Sequence, residues 1–184
     1  MFSRRAVRAS HLRAHRGARS VAWYERGVSV SVLFVCLGNI CRSPTAEAVF
    51  ARDVKAAGLE HAFVIDSAGT GDWHAGERAH PPTRAEASSR GVEITHRARQ
   101  ITREDLTRFD HVVVMDRSNL ANVLALTKSD VERAKVRLFR ELEPNASSDE
   151  VPDPYYSGRF AEVFEICERA SAAWLAHLRE RHAV

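Results

Sequence analysis

Residues 32–47, VLFVCLGNICRSPTAE, constrain the fold more than any other stretch of this 184-residue chain. The apolar run 31–36 is rich in Val and has the pattern of a strand buried on both faces. A compact polar loop follows. Ser43-Pro44 then opens a helix, with Ser43 placed to cap it and Pro44 at its first position. Ala46, Val49, Phe50, Val54 and Ala57 recur at spacings of three and four, and Gly58 ends the helix.

The rest of the chain repeats this alternation. Residues 63–67 read as a second strand ending in the turn-like SAGTGD, HVVVM (111–115) as a third buried strand, and 135–139 as a fourth and shorter one. Residues 82–90 read as a helix stopped by Gly91, and residues 117–126 as another. A long last helix is lined on one face by Phe160, Val163, Phe164, Cys167, Ala170, Trp174 and Leu178. Residues 72–82 read as an exposed loop, and the proline-rich 143–158 as loop throughout. This order predicts a single-domain α/β fold, a three-layer sandwich with a four-stranded parallel sheet and helices on both faces. Ligands of such folds bind beyond the carboxyl ends of the strands, and Cys36 sits at that end of the first strand.

The total charge of +3 is unevenly spread. Residues 1–27 hold seven Arg and one acid and so carry +6, which leaves −3 for the remainder. The folded part is thus mildly acidic, and the basic balance of the whole gives no reason to expect nucleic-acid binding. We read 1–28 as a basic, disordered extension and 29–184 as the domain. Three cysteines (Cys36, Cys41, Cys167) do not make a secreted disulfide scaffold. No apolar run approaches the roughly 18 residues of a membrane span. A cytoplasmic setting is expected, with export lacking a signal peptide left open.

The loop itself carries chemistry. Cys-x5-Arg is a weak pattern alone, but here it follows a buried strand, contains Gly38 and runs into a helix N-terminus. Successive backbone N–H groups in such a turn form an anion hollow that the helix dipole reinforces. A cysteine at its base feels the same field, and such settings lower a thiol pKa from about 8.5 into the range of roughly 3.5–7.5. Cys36 is the expected nucleophile. Arg42 offers a planar fork for two phosphoryl oxygens. Ser43 is placed to cap the helix, to stabilise the departing thiolate, or both. Expelling a phenolate or alkoxide also needs a proton donor, and VPDPYY offers Asp153 between two prolines, with Tyr155 and Tyr156 beside it.

VCLGNICRSPTAEAVF, DSAGTGDW, HRARQIT, FDHVVVMDRSN and DPYY, in this order and spacing, resemble the low-molecular-weight protein tyrosine phosphatases over about residues 30–180. The resemblance implies that Cys36 forms a phosphocysteine, that Arg42 clamps the phosphoryl group, and that Asp153 protonates the leaving group and then activates water. It implies a phosphate-binding loop that also includes Leu37, Gly38, Asn39, Ile40, Cys41 and Ser43, held in shape by Ser67 and His96. Cys41 matches a second loop cysteine able to pair with the nucleophile under oxidation. No metal and no cofactor are implied, and the expected partners are phosphotyrosine-containing proteins, met by a monomer or weak dimer. Thioredoxin-coupled arsenate reductases share the architecture, but nothing here supplies their relay of further cysteines downstream of the loop. Phosphoarginine phosphatases carry a Thr where this loop has Ile40. The apolar Ile40, with Leu37, Trp73, Tyr155 and Tyr156, suits an aromatic ring entering a deep, narrow slot. A phosphate-binding module without catalysis is the rival from another class.

Overall fold

The computed structural model describes residues 29–184; the Arg-rich segment 1–28 lies outside the described residues. Four strands, β1 (Val30–Cys36), β2 (Phe63–Gly69), β3 (His111–Val114) and β4 (Val136–Leu138), form one sheet in the order β2-β1-β3-β4. Every neighbouring pair is parallel, with Cys36 beside Gly69 at the top of β1. The order reverses between β1 and β3, so the crevice beyond the end of β1 is where such a fold leaves room for a ligand.

The alternation of β1 is visible in the core. Val30, Val32, Phe34 and Cys36 join one hydrophobic cluster, and Leu33 and Val35 join the other. The first cluster is roofed by α1 (Arg42–Ala56), α2 (Pro81–Ser89) and the long α7 (Phe160–His182), which supply Val49, Phe50, Ala87, Phe164 and Trp174. The second lies under the short α3 (Asp105–Arg108) and under α4 (Arg117–Leu126), which bring in Leu106 and Val123. Helices therefore cover both faces, as a strand that is apolar on both sides demands.

Several local expectations are corrected. Helix α1 begins at Arg42, its N-cap is Cys41, and no side chain caps it; Ser43 is instead turned toward Cys36. Strand β2 runs on to Gly69, because Gly69 also accepts from Ile101 N–H and donates to the Arg99 carbonyl. Strand β4 is only Val136–Leu138 before the chain tightens into a 3-10 turn at Phe139–Leu142. The stretch 143–158 is not loop throughout, since α6 (Pro154–Ser157) lies within it, preceded along the chain by α5 (Asp130–Arg133). Phe160 leaves the apolar face of α7 and packs beside Ile40 and Cys41. Gly58 ends α1 as expected: at φ 71° it adopts the left-handed turn that returns Leu59 N–H to the Val54 carbonyl. Among the described residues no helix is long and apolar enough to cross a membrane.

At the opposite end of the sheet, His111 starts β3 with its Nε2 3.0 Å from His182 Nε2 near the end of α7, under the Trp174 ring. Burial, then the positive charge of His182 with Arg181 and His177 near it, pushes the His111 imidazole down from 6.5 to about 4, against the pull of Asp110. Between those values the unfolded chain takes up a proton that the fold refuses. Stability from this group is thus present above about pH 6.5 and is lost as pH falls toward 4. We expect denaturant unfolding at pH 7 and pH 4.5 to show a loss smaller in His111→Leu than in the parent chain. The difference should be on the order of 1–2 kcal/mol after solvent screening is allowed for.

Candidate active site

Strand β1 delivers Cys36 and α1 receives the chain at Arg42, so five residues must turn within the space between a strand end and a helix start. The turn needs a left-handed residue, and Asn39 supplies it at φ 55°, a conformation that Asn tolerates better than other side-chain-bearing residues. Its amide then locks the loop. Nδ2 donates to Ser43 Oγ and to Ser67 Oγ, both at 2.9 Å. Oδ1 accepts from Arg99 N–H at 2.9 Å and faces His96 Nε2 at 2.8 Å. All four hydrogen-bonding positions of this buried amide are filled.

The same contacts define the hydrogens. Because Asn39 Oδ1 only accepts, His96 Nε2 carries the hydrogen between them. Its Nδ1 lies 3.1 Å from Glu47 Oε2, which also accepts from Ser67 Oγ at 2.6 Å. Burial pushes the Glu47 carboxyl up to about 7 and pushes the His96 ring down. Both directions fit one proton held between the pair. Arg99 neutralises the neighbouring Asp66 and Asp105 at 2.9 Å each. Behind the loop, Gly69 permits close backbone approach: a Cβ there would meet the Leu37 carbonyl at 2.8 Å and Asn39 Cβ at 3.2 Å. Thr70 N–H and Gly71 N–H reach the Cys36 and Leu37 carbonyls at 2.9 Å as a result.

Held this way, the loop aims donors at sulfur. Asn39 N–H points at Cys36 Sγ from 3.2 Å, and Ser43 Oγ lies 3.0 Å away. Since Ser43 accepts from Asn39, its own hydrogen is free for the sulfur or for the Ala68 carbonyl at 3.3 Å. Arg42, 3 % exposed, turns its guanidinium to the same hollow. Nη1 is bound to Asp116 Oδ2 at 2.6 Å and to the Val151 carbonyl at 3.3 Å, and Nη2 to Asp153 Oδ2 at 2.7 Å. Burial alone would lower its pKa, but the charges of Cys36, Asp153 and Asp116 raise it instead, so the guanidinium stays charged. Asp116 is in turn fixed as the N-cap of α4, accepting Asn119 N–H at 2.6 Å.

These groups open into a cavity of about 290 Å³. Its buried lining is Cys36, Ile40, Cys41 and Arg42, and its more exposed lining includes Leu37, Trp73, Tyr155 and Tyr156, with Asp153 beside them. A nucleophilic sulfur, a charged guanidinium and a carboxylate that shares the guanidinium form a site for transfer of a tetrahedral anion. The family model described as low molecular weight phosphotyrosine protein phosphatase matches residues 31–184. The chain belongs to that family.

Among relatives, a Streptomyces coelicolor low molecular weight protein-tyrosine-phosphatase is 47% identical over 154 residues, 82% of this chain and 94% of that protein. The crystal structure of YfkJ from Bacillus subtilis superposes with a TM-score of 0.81 at 36% identity, covering 85% of this chain and 98% of that one. A Drosophila arginine phosphatase is also similar, with a TM-score of 0.74 and 28% identity over 80% of this chain and 97% of its own.

The phosphatase fold brings every residue singled out from the sequence to one end of the sheet, but not in equal roles. Tyr156 is 92 % exposed and Trp73 59 %, so they form the outer lip of the cavity. Cys41 is buried, and burial, then the Cys36 and Asp153 charges, pushes its thiol up to about 11 against the Thr83 hydroxyl and Arg42. It is a thiol, not a second nucleophile, at neutral pH. Cys167 is fully buried in α7 and its thiol is pushed up by desolvation. Asp116, Glu47 and Arg99 belong to the site and are not assigned roles by sequence reasoning. Only Asp116 carries a local signal, as an acid between a buried strand and a helix.

Proposed function

We propose that this phosphatase hydrolyses phosphotyrosine in proteins, and small aryl phosphates, through a phosphocysteine. Cys36 sulfur attacks phosphorus as the P–O bond to the phenol breaks, and the Asp153 proton passes to the departing oxygen. Water then attacks phosphorus, Asp153 takes its proton, and the S–P bond breaks to release phosphate. The thiolate that leaves is received by Asn39 N–H and the Ser43 hydroxyl, and Arg42 with the loop N–H groups balances the phosphoryl charge throughout. The observation that carries this reading is the convergence of Cys36, Arg42 and Asp153 on one cavity lined by Trp73 and Tyr155.

Ile40, 6 % exposed in the lining of that cavity, places a hydrocarbon beside the loop, where an aromatic ring gains more than a guanidino group would. All three cysteines are free, which suits a reducing cytoplasm. The test is hydrolysis of a phosphotyrosine peptide and of phenyl phosphate by the full chain, with vanadate and EDTA added separately. We expect turnover that vanadate inhibits and EDTA leaves unchanged. Loss of activity in EDTA, or hydrolysis of phosphoarginine with none of phosphotyrosine, would overturn the assignment.

A further inference from the structure

His80 stands where α2 begins, yet its side chain makes no capping bond. Its backbone N–H instead reaches into the phosphate loop and donates to the Ile40 carbonyl at 2.8 Å. Its imidazole meets two rings. Phe160 is stacked on it at 5.7 Å with an interplanar angle of 24°, and Tyr155 meets it at 5.2 Å and 49°. The ring nitrogen Nδ1 is buried with no hydrogen-bond partner among the described residues. Among the described residues, then, ring packing rather than hydrogen bonding holds this imidazole.

What that position controls is Tyr155. This residue lines the catalytic cavity, its backbone N–H donates to Asp153 Oδ1 at 3.0 Å, and its ring meets Tyr156 edge-on at 5.0 Å. Phe160, the other ring that His80 meets, packs against Ile40 and Cys41 in the loop. The imidazole therefore connects the phosphate loop with the aromatic lining of the cavity. We infer that His80 is a positioning residue for substrate selection: it holds the Tyr155 ring upright over the loop, and the preference for an aryl over a bare phosphate runs through it. This rests on the reading that an aromatic leaving group enters the cavity. Nothing in the inference requires His80 to touch substrate or to change its protonation.

The experiment compares the KM for phenyl phosphate with the inhibition constant of inorganic phosphate, in the full chain and in His80→Ala and His80→Phe. Inorganic phosphate tests the loop alone, and phenyl phosphate tests the loop together with the ring wall. We expect His80→Ala to raise the aryl KM about 3- to 10-fold, the range that a lost aromatic contact implies, with the phosphate constant within about twofold. His80→Phe should return the aryl KM to within about twofold of the parent and should melt no lower, because it fills the same gap without the unpaired nitrogen. Equal weakening of both constants in His80→Ala would mean that His80 only supports the loop, and would overturn the inference, as would an unchanged aryl KM or a failed rescue by Phe. Failure of the parent chain to hydrolyse phenyl phosphate at all would instead defeat the functional reading on which it rests.

Discussion

Cys36→Ser should abolish turnover of phosphotyrosine peptides, by roughly 10⁴–10⁶-fold, the scale of loss when a covalent nucleophile is removed. The site gives a serine no help. Around the sulfur stand Asn39 N–H and the Ser43 hydroxyl, at 3.2 and 3.0 Å, groups that favour an anion already formed. A seryl hydroxyl needs a base to become a nucleophile. Asp116 is committed to Arg42 and the α4 cap, and Asp153, which in the proposed first step delivers a proton to the leaving group, is no base for that step. Binding should persist, since Arg42 and the loop N–H groups are untouched. Calorimetry of the variant with a phosphotyrosine peptide should give a dissociation constant within about tenfold of the parent KM. Measurable turnover that survives purification would remove Cys36 from the mechanism.

The strand and helix order is legible because the core it builds is continuous along the chain. Val32 to Val35 are apolar without interruption since both faces of β1 are covered, and Gly58 can adopt the φ that a helix end requires. What escapes a reading of the sequence is where one local preference loses to a distant partner. Ser43-Pro44 has the pattern of a helix cap, but the Ser43 hydroxyl is engaged with Cys36, Asn39 and the Ala68 carbonyl, and the helix starts a turn's fraction earlier without it. Helix α6 is a single turn opening on a proline, too short for any periodicity to register.

The loop and DPYY point to Cys36, Arg42 and Asp153, which the fold brings to one cavity, but the residues that support them carry no comparable signal. Asp116 reads as a helix cap and is one; that it also grips Arg42, 74 positions away, follows only from β1 and β3 being neighbours. Glu47 reads as a charged residue on an ordinary helix, yet it faces Ser67 and His96 under the loop. The order of strands decides both, and no window of sequence contains it.

Asp153→Asn should lower turnover by roughly 10²–10⁴, the usual contribution of a general acid. The loss should deepen as the leaving group becomes a poorer one. Asn is the sharper probe because it keeps the shape at the start of α6, where Oδ1 accepts Tyr155 N–H. In the free enzyme the other oxygen, Oδ2, is paired with Arg42 Nη2 at 2.7 Å. An arriving phosphoryl group competes for that guanidinium, while Asp116 keeps hold of Nη1 from the far side. Asp153, released from Arg42, is then free to face the departing oxygen, where the proposed general acid delivers a proton. That proton is the one the leaving phenolate needs. A phenol made acidic by a nitro group departs nearly unaided, whereas phenyl or alkyl phosphate does not. Plotting log kcat/KM, which reports only the step that expels the leaving group, against leaving-group pKa should therefore give a steeper negative slope for Asp153→Asn than for the parent chain. Parallel lines, whatever their separation, would show that Asp153 positions Arg42 or the cavity wall and does not transfer the proton.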